Sequence, residues 1–151
     1  MFVDGYWLGI KDGDVAARDI FRRHYSWHEY KDGRAHNIFV GPGFKIVLVT
    51  QDYSALFIWR KFIDKSGQKG INCAVFRNES NFISSSLILE AEQIAWNRWP
   101  GERLYTYVNA KRVKSSNPGY CFQMAGWVKC GVSKSKGLII LEKIPQKGGE
   151  E

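Results

Sequence analysis

The chain has 151 residues, 44% of them hydrophobic and 25% charged, with a formal net charge of +7. That length supports one domain with a core of its own, and the composition is that of a soluble globular protein rather than a disordered or collagen-like one. No apolar run approaches the roughly 18 residues of a spanning helix, and the opening MFVDGYWLGIKDGD carries acids early and lacks the basic-then-apolar pattern of a secretory signal, so a cytoplasmic protein is expected.

Residues 6–10, YWLGI, read as a short strand. Asp12 or Asp14 can cap a helix that runs to about Tyr25, with Ala17, Ile20, Phe21 and Tyr25 along one side and Arg18, Arg22 and Arg23 around it. Residues 26–43 read as a polar loop ending in the Gly41-Pro42-Gly43 turn. FKIVLVT (44–50) and ALFIWRKF (55–62) form a hairpin across Gln51 to Ser54, and INCAVFRN (71–78) adds a third strand. SSSLILEAEQIAWNRW (84–99) is a helix. Its serines offer N-caps, Ile88, Ala91, Ala95 and Trp99 recur at helical spacing, and Pro100-Gly101 stops it.

RLYTYVNAKRV (103–113) alternates as a strand, with Arg103, Tyr105, Tyr107, Asn109 and Lys111 on one side. NPGYCFQMAGW (117–127) combines turn chemistry, a short apolar helix and a Gly-aromatic stop. WVKCGVS and GLIILEK close the chain as a hairpin through Lys134 to Gly137. The order is strand, helix, three strands, helix, strand, short helix, two strands. Helices covering a mostly antiparallel sheet are expected, a mixed α and β class. One domain spans residues 1–146, and 147–151 read as a frayed tail.

Charge is unevenly placed. Residues 1–40 carry six Lys or Arg and six Asp or Glu, whereas Arg103, Lys111, Arg112, Lys114, Lys129, Lys134 and Lys136 fall in a stretch, 103–141, without a single acid. Such a segment attracts polyanions, either nucleic acid or the phosphates of a nucleotide cofactor, or it is simply a solvated face. The three cysteines, Cys73, Cys121 and Cys130, are odd in number and contain no CxxC pair, so reduced, buried thiols are expected. His24 and His28 have a metal-capable spacing, but no third ligand is evident beyond His36, and no metal site is assigned.

The order of elements, and Phe122, Gly126 and Trp127 spaced as aromatic-x-x-x-Gly-aromatic, resemble the GNAT superfamily of N-acetyltransferases. FRNES, SSSLILEA, RWPGERLYTYV and NPGYCFQMAGW together are similar to a phage-type branch of it, the Mom-like DNA-modification proteins, over roughly residues 71–143. The resemblance implies a GNAT-like twisted sheet and a site for acetyl-CoA or another acyl-CoA. It also implies transfer to an amine, with a nucleic-acid base, adenine in DNA, as acceptor. It places Arg77, Ser84, Ser85, Ser86 and Asn117 at the cofactor. For such a reaction Glu79, Asn109 and Tyr120 are the candidates for proton handling and acceptor orientation, Tyr105 and Tyr107 offer aromatic faces that can stack on a base, and Arg103, Lys111, Arg112 and Lys114 can hold the phosphate backbone of DNA.

Two departures from the family pattern stand out. Asn81 to Ser86 has no glycine where the family's phosphate loop has several, and Phe122 stands where the family places a tyrosine acid. Glu79 as a base near neutrality requires a raised pKa. A small-molecule or protein amine as acceptor, and a non-catalytic nucleic-acid- or protein-binding module, are the alternatives.

Overall fold

In a computed structural model that describes residues 5–12, 14–24, 43–65, 67–111, 119–134 and 136–146, the alternation along the central strands decides the architecture. On β2 (Phe44–Thr50) and β3 (Ala55–Lys61), Leu48, Ala55, Phe57 and Trp59 enter one apolar core. Val47, Val49, Leu56 and Ile58, one residue out of phase, enter a second. Side chains of period two send successive residues to opposite faces, so this sheet is buried on both. Helix α1 (Val15–Arg22) covers one face with Ala17 and Ile20. Helices α2 (Ser84–Arg98) and α3 (Tyr120–Met124) cover the other.

The remaining strands are β1 (Trp7–Ile10), β4 (Ile71–Asn78), β5 (Leu104–Val108), β6 (Val128–Val132) and β7 (Ile139–Lys143). The described residues form a seven-stranded sheet in the order β1-β2-β3-β4-β5-β7-β6. Every neighbouring pair is antiparallel except β4 and β5. The expected mixed class and mostly antiparallel sheet are thus observed. No helix among the described residues is long and apolar enough to cross a membrane.

Helix α1 begins at Asp14, whose carboxylate accepts from Ala17 N at 3.0 Å. Helix α2 is held by indole donors. Trp7 Nε1 donates to Leu87 O at 2.8 Å and Trp59 Nε1 to Ala91 O at 2.9 Å, one helical turn apart on the same face. Glu90 accepts from the backbone N–H groups of Tyr6 and Trp7, which ties the start of β1 to the same helix.

The serines at 84–86 do not cap α2, contrary to expectation. The N-cap is Ile83, which makes no side-chain cap bond, and Ser84 is already helical. The strand expected over 103–113 is also shorter, because Asn109 to Lys111 lie past its end. Residues 25–42 and 112–118, which hold His28, His36, Arg112, Lys114 and Asn117, lie outside the described residues, as does the tail from 147.

Candidate functional site

Two strands that begin as a parallel pair and then part create the site. Pairing of β4 with β5 covers Ile71, Asn72 and Cys73 against Leu104, Tyr105 and Thr106, and goes no further. The cause lies on the other side of β4. There Cys73 pairs with Trp59 and Val75 with Ile58, so Ala74 is an extra residue with no partner. Such a bulge bends a strand and reverses the alternation beyond it. Cys73 accordingly faces the α2 core while Val75 faces the α1 core. The last link across the gap is Thr106 Oγ1, which donates to Cys73 O at 2.9 Å. Beyond it, the β5-facing backbone groups of β4 have no strand partner among the described residues.

A cavity of about 640 Å³ occupies the opening. Its walls are Cys73 to Asn78 of β4 and Thr106 to Val108 of β5, with Gly119, Cys121 and Phe122 from α3. Arg23 and His24, from the end of α1, complete the rim. The depth is apolar and the mouth is cationic.

Helix α3 is fixed there by its ending. Ala125 is the C-cap, and Gly126 at φ +97° takes the left-handed conformation that favours glycine. Gly126 N donates to Gln123 O and Trp127 N to Phe122 O, each at 3.0 Å. This is a Schellman closure, and its accompanying apolar contact is the Phe122–Trp127 ring pair at 4.9 Å. The aromatic-x-x-x-Gly-aromatic spacing therefore has a local physical cause: both aromatics are the contact that accompanies this helix end.

At the mouth, Glu79 receives two guanidinium groups. Arg23 donates from Nε at 2.6 Å and from Nη2 at 2.8 Å, and Arg77 donates from Nε at 2.8 Å. These bonds, Arg23's first, hold the carboxyl at about 2. The raised pKa expected of a base is thus reversed, because two cations outweigh desolvation. Arg77 lines the cavity as well as meeting Glu79. Asn78 shapes the turn into α2: its Nδ2 donates to Phe82 O and Ser84 Oγ, each at 2.9 Å, and its Oδ1 accepts from Ser80 N. It lines the cavity too, so the uncapped start of α2 lies one side chain away. Among the described residues, the N–H groups of Ser84 and Ser85 meet no acceptor, as is usual for a first helical turn.

Other expected residues are placed elsewhere. Tyr105 is 0% exposed and cannot stack on a base. Its hydroxyl and that of Tyr107 donate to the same Asp64 oxygen at 2.9 and 2.8 Å. Burial first, then Asp64, pushes the Tyr105 hydroxyl far above its ordinary value. Tyr107 is half-buried and lines the cavity.

Arg103 sits at the opposite end of β5, bonded to Glu142 Oε1 at 2.5 Å, Lys69 O at 2.9 Å and Gln68 Oε1 at 3.0 Å. These bonds make it an internal tie rather than a phosphate contact. Asn109 accepts from Lys111 N in a turn, and Tyr120 is 54% exposed; neither lines the cavity. The basic stretch is thus split. Lys111, Lys134 and Lys136 leave the sheet at the cavity end, since Val108, Ile139 and Val132 share one register, while Arg103 stays at the other.

Of the cysteines, Cys73 is buried, Cys121 half-buried and Cys130 exposed, so the expectation of three buried thiols fails for Cys130. Burial pushes the Cys73 and Cys121 thiols up, which disfavours thiolate chemistry in the cavity.

Two features were not anticipated from sequence. Arg23 gave no signal beyond its place near a helix end. Glu92, 1% exposed, lies on the apolar face of α2 and accepts from Trp127 Nε1 and Lys143 Nζ, each at 2.7 Å. A carboxylate one turn from both Ile88 and Ala95 on the expected apolar stripe was its signal. No family model, curated protein or solved structure matches the chain.

Proposed function

We propose that the chain is a GNAT-like transferase that uses an acyl-CoA and acts on an amine of a nucleic-acid base, in the manner of the Mom-like proteins it resembles. The single observation that carries this reading is the bulge-driven parting of β4 and β5 around an open, apolar-floored cavity beside an uncapped helix start. A pantetheine-like arm fits such a gap, because it is slender and extended and carries amides that suit the edge of β4 that has no strand partner among the described residues. A diphosphate suits the N-terminus of α2, where free N–H groups and the helix dipole favour anions. When bound, an acyl-CoA would supply its acyl group as an activated thioester.

The chain's own contribution is placement and exclusion of water. Ser84 and Ser85 present backbone donors, Asn78 fixes their approach to the cavity, and Cys73, Val108 and Phe122 provide a dry floor. Among the described side chains that line the cavity, His24 is the type best suited to taking a proton from an attacking amine near neutral pH. Lys111, Lys134 and Lys136, at the cavity end of the sheet, are positioned to steer a polyanionic acceptor.

Calorimetry with acetyl-CoA, and separately with CoA, tests the cofactor. Micromolar binding that Ser85→Glu abolishes supports the reading, and binding unchanged by that substitution removes it. For the acceptor, DNA affinity should fall steeply with salt and fall less steeply in a Lys111/Lys134/Lys136→Gln variant; weak, salt-insensitive binding redirects the search to small-molecule or protein amines.

A second reading is a non-catalytic binding module on the same fold. It is favoured by Glu79 held ionised between two arginines and by Phe122 where the family has a hydroxyl. Acetyl-CoA binding without release of the CoA thiol in the presence of DNA selects it.

A further inference from the structure

Two guanidinium groups from different elements, one at the end of α1 and one on β4, converge on a single carboxylate at the cavity mouth. Arg23 and Arg77 line the cavity, and Glu79, which binds both, is not among its lining residues. We propose that Arg23 and Arg77 form a binding site for a phosphoryl group of the ligand, and that Glu79 is its internal stand-in, holding both side chains in place until that group displaces it. The proposal rests on the transfer reading only in that it concerns the same cavity.

Three observations carry it. All three side chains of the cluster are partly solvent-exposed, at 49% for Arg23, 39% for Arg77 and 26% for Glu79, and ion pairs of that kind contribute little, so they exchange readily. Among the described residues Arg77 gives Glu79 only its Nε, which leaves the Nη groups of that planar fork for further oxygens. Glu79 neutralises one of two positive charges. A phosphomonoester, with two negative charges and three acceptor oxygens, matches the pair in both charge and number of contacts better than a second carboxylate does, and a phosphodiester, with one charge and two free oxygens, should bind it more weakly. The backbone keeps Glu79 close, since its N–H donates to Ser54 O at 2.7 Å, so the carboxylate has only to swing aside.

The test is a calorimetric titration at constant ionic strength with inorganic phosphate, thymidine 5′-monophosphate, thymidylyl-thymidine and thymidine. The phosphate-bearing probes should bind and thymidine should not. Glu79→Gln should bind them about fivefold more tightly, the change expected when an exposed competing ion pair is removed. Arg77→Met should lose at least about tenfold, the scale of a charge-assisted bond.

A purely structural clamp gives no gain in affinity; the loss of stability is common to both readings and does not separate them. Equal or weaker phosphate binding by folded Glu79→Gln, or thymidine binding as well as its monophosphate, overturns the proposal. Should Glu79→Gln fail to fold, Glu79→Asp, which withdraws the carboxylate by one methylene, is read the same way. Preference for the monophosphate assigns the site to a phosphomonoester, and preference for the dinucleotide assigns it to a chain phosphate. A phosphate response without acetyl-CoA binding sinks the transfer reading and leaves this one, and the converse sinks this one alone.

Discussion

Glu92 and Glu79 are two carboxylates with opposite fates. Glu92 is buried among apolar side chains, and burial raises its pKa more than Lys143 and Trp127 lower it. Removing its cation should leave a charge with no counter-ion in the core. Lys143→Met is therefore expected to cost about 3 kcal/mol at pH 7.5. A raised folded pKa means stability that is full below the unfolded value and lost as pH rises, so the deficit should shrink as pH is lowered to 4, because burial favours the protonated Glu92 in the folded state. Urea melts at the two pH values check this. Glu79 behaves oppositely. Its folded pKa of about 2 lies below the ordinary 4.5, so its contribution is present above 4.5 and is lost as pH falls toward 2. After allowance for solvent screening that contribution is about 1 kcal/mol. Glu79→Gln should lower stability by that amount at pH 7 and by only a small fraction of it at pH 2, read from the same melts.

At the scale of elements, the start of α2 departs from good capping. Ile83 is 70% exposed and has an extended N-cap backbone at φ −69°, ψ 126°, which an aspartate adopts without strain. Ile83→Asp should stabilise the protein by about 1 kcal/mol in thermal melts. If α2 receives the cofactor diphosphate, the same change should weaken CoA binding, because the new carboxylate takes the same N–H groups. A gain in stability with unchanged CoA affinity would separate α2 from the cofactor site. Helix α3 shows the reverse economy: five residues are too few to hold a helix alone, and the Gly126 closure with the Phe122–Trp127 contact makes it persist.

For the whole molecule, the decisive feature is that one sheet is continuous at one end and open at the other. Amides on the β3 side of β4 lie in a ladder interrupted only at Ala74, whereas those facing the gap beyond Cys73 have no strand partner among the described residues. Hydrogen exchange should therefore be uneven along β4, with gap-facing amides between Ala74 and Asn78 exchanging faster than those paired with β3. Acetyl-CoA, if it occupies the gap, should slow that set and leave the β2–β3 ladder unchanged. Uniform protection of β4 without ligand would contradict the open geometry.

The sequence by itself determined the elements and their class. Runs such as FKIVLVT and the helical spacing of Ile88, Ala91 and Ala95 encode local periodicity, and a period is legible without knowing the partners. The Gly126-Trp127 stop was legible for the same reason, since a left-handed helix end depends on residues close in sequence. The residues of the site were legible only in part. Arg77 and Tyr107 do line the cavity, but Tyr105 and Arg103 read as ligand contacts and are consumed internally by Asp64 and by Glu142 and its neighbours. Those partners lie 41 and 39 residues away, and no local pattern announces them. The parting of β4 from β5, the meeting of Arg23 with Glu79 across 56 residues, and the burial of Glu92 beside Lys143 were decided by tertiary structure alone. Each depends on which distant group completes a hydrogen bond or balances a charge, and that becomes fixed only when the sheet has closed around it.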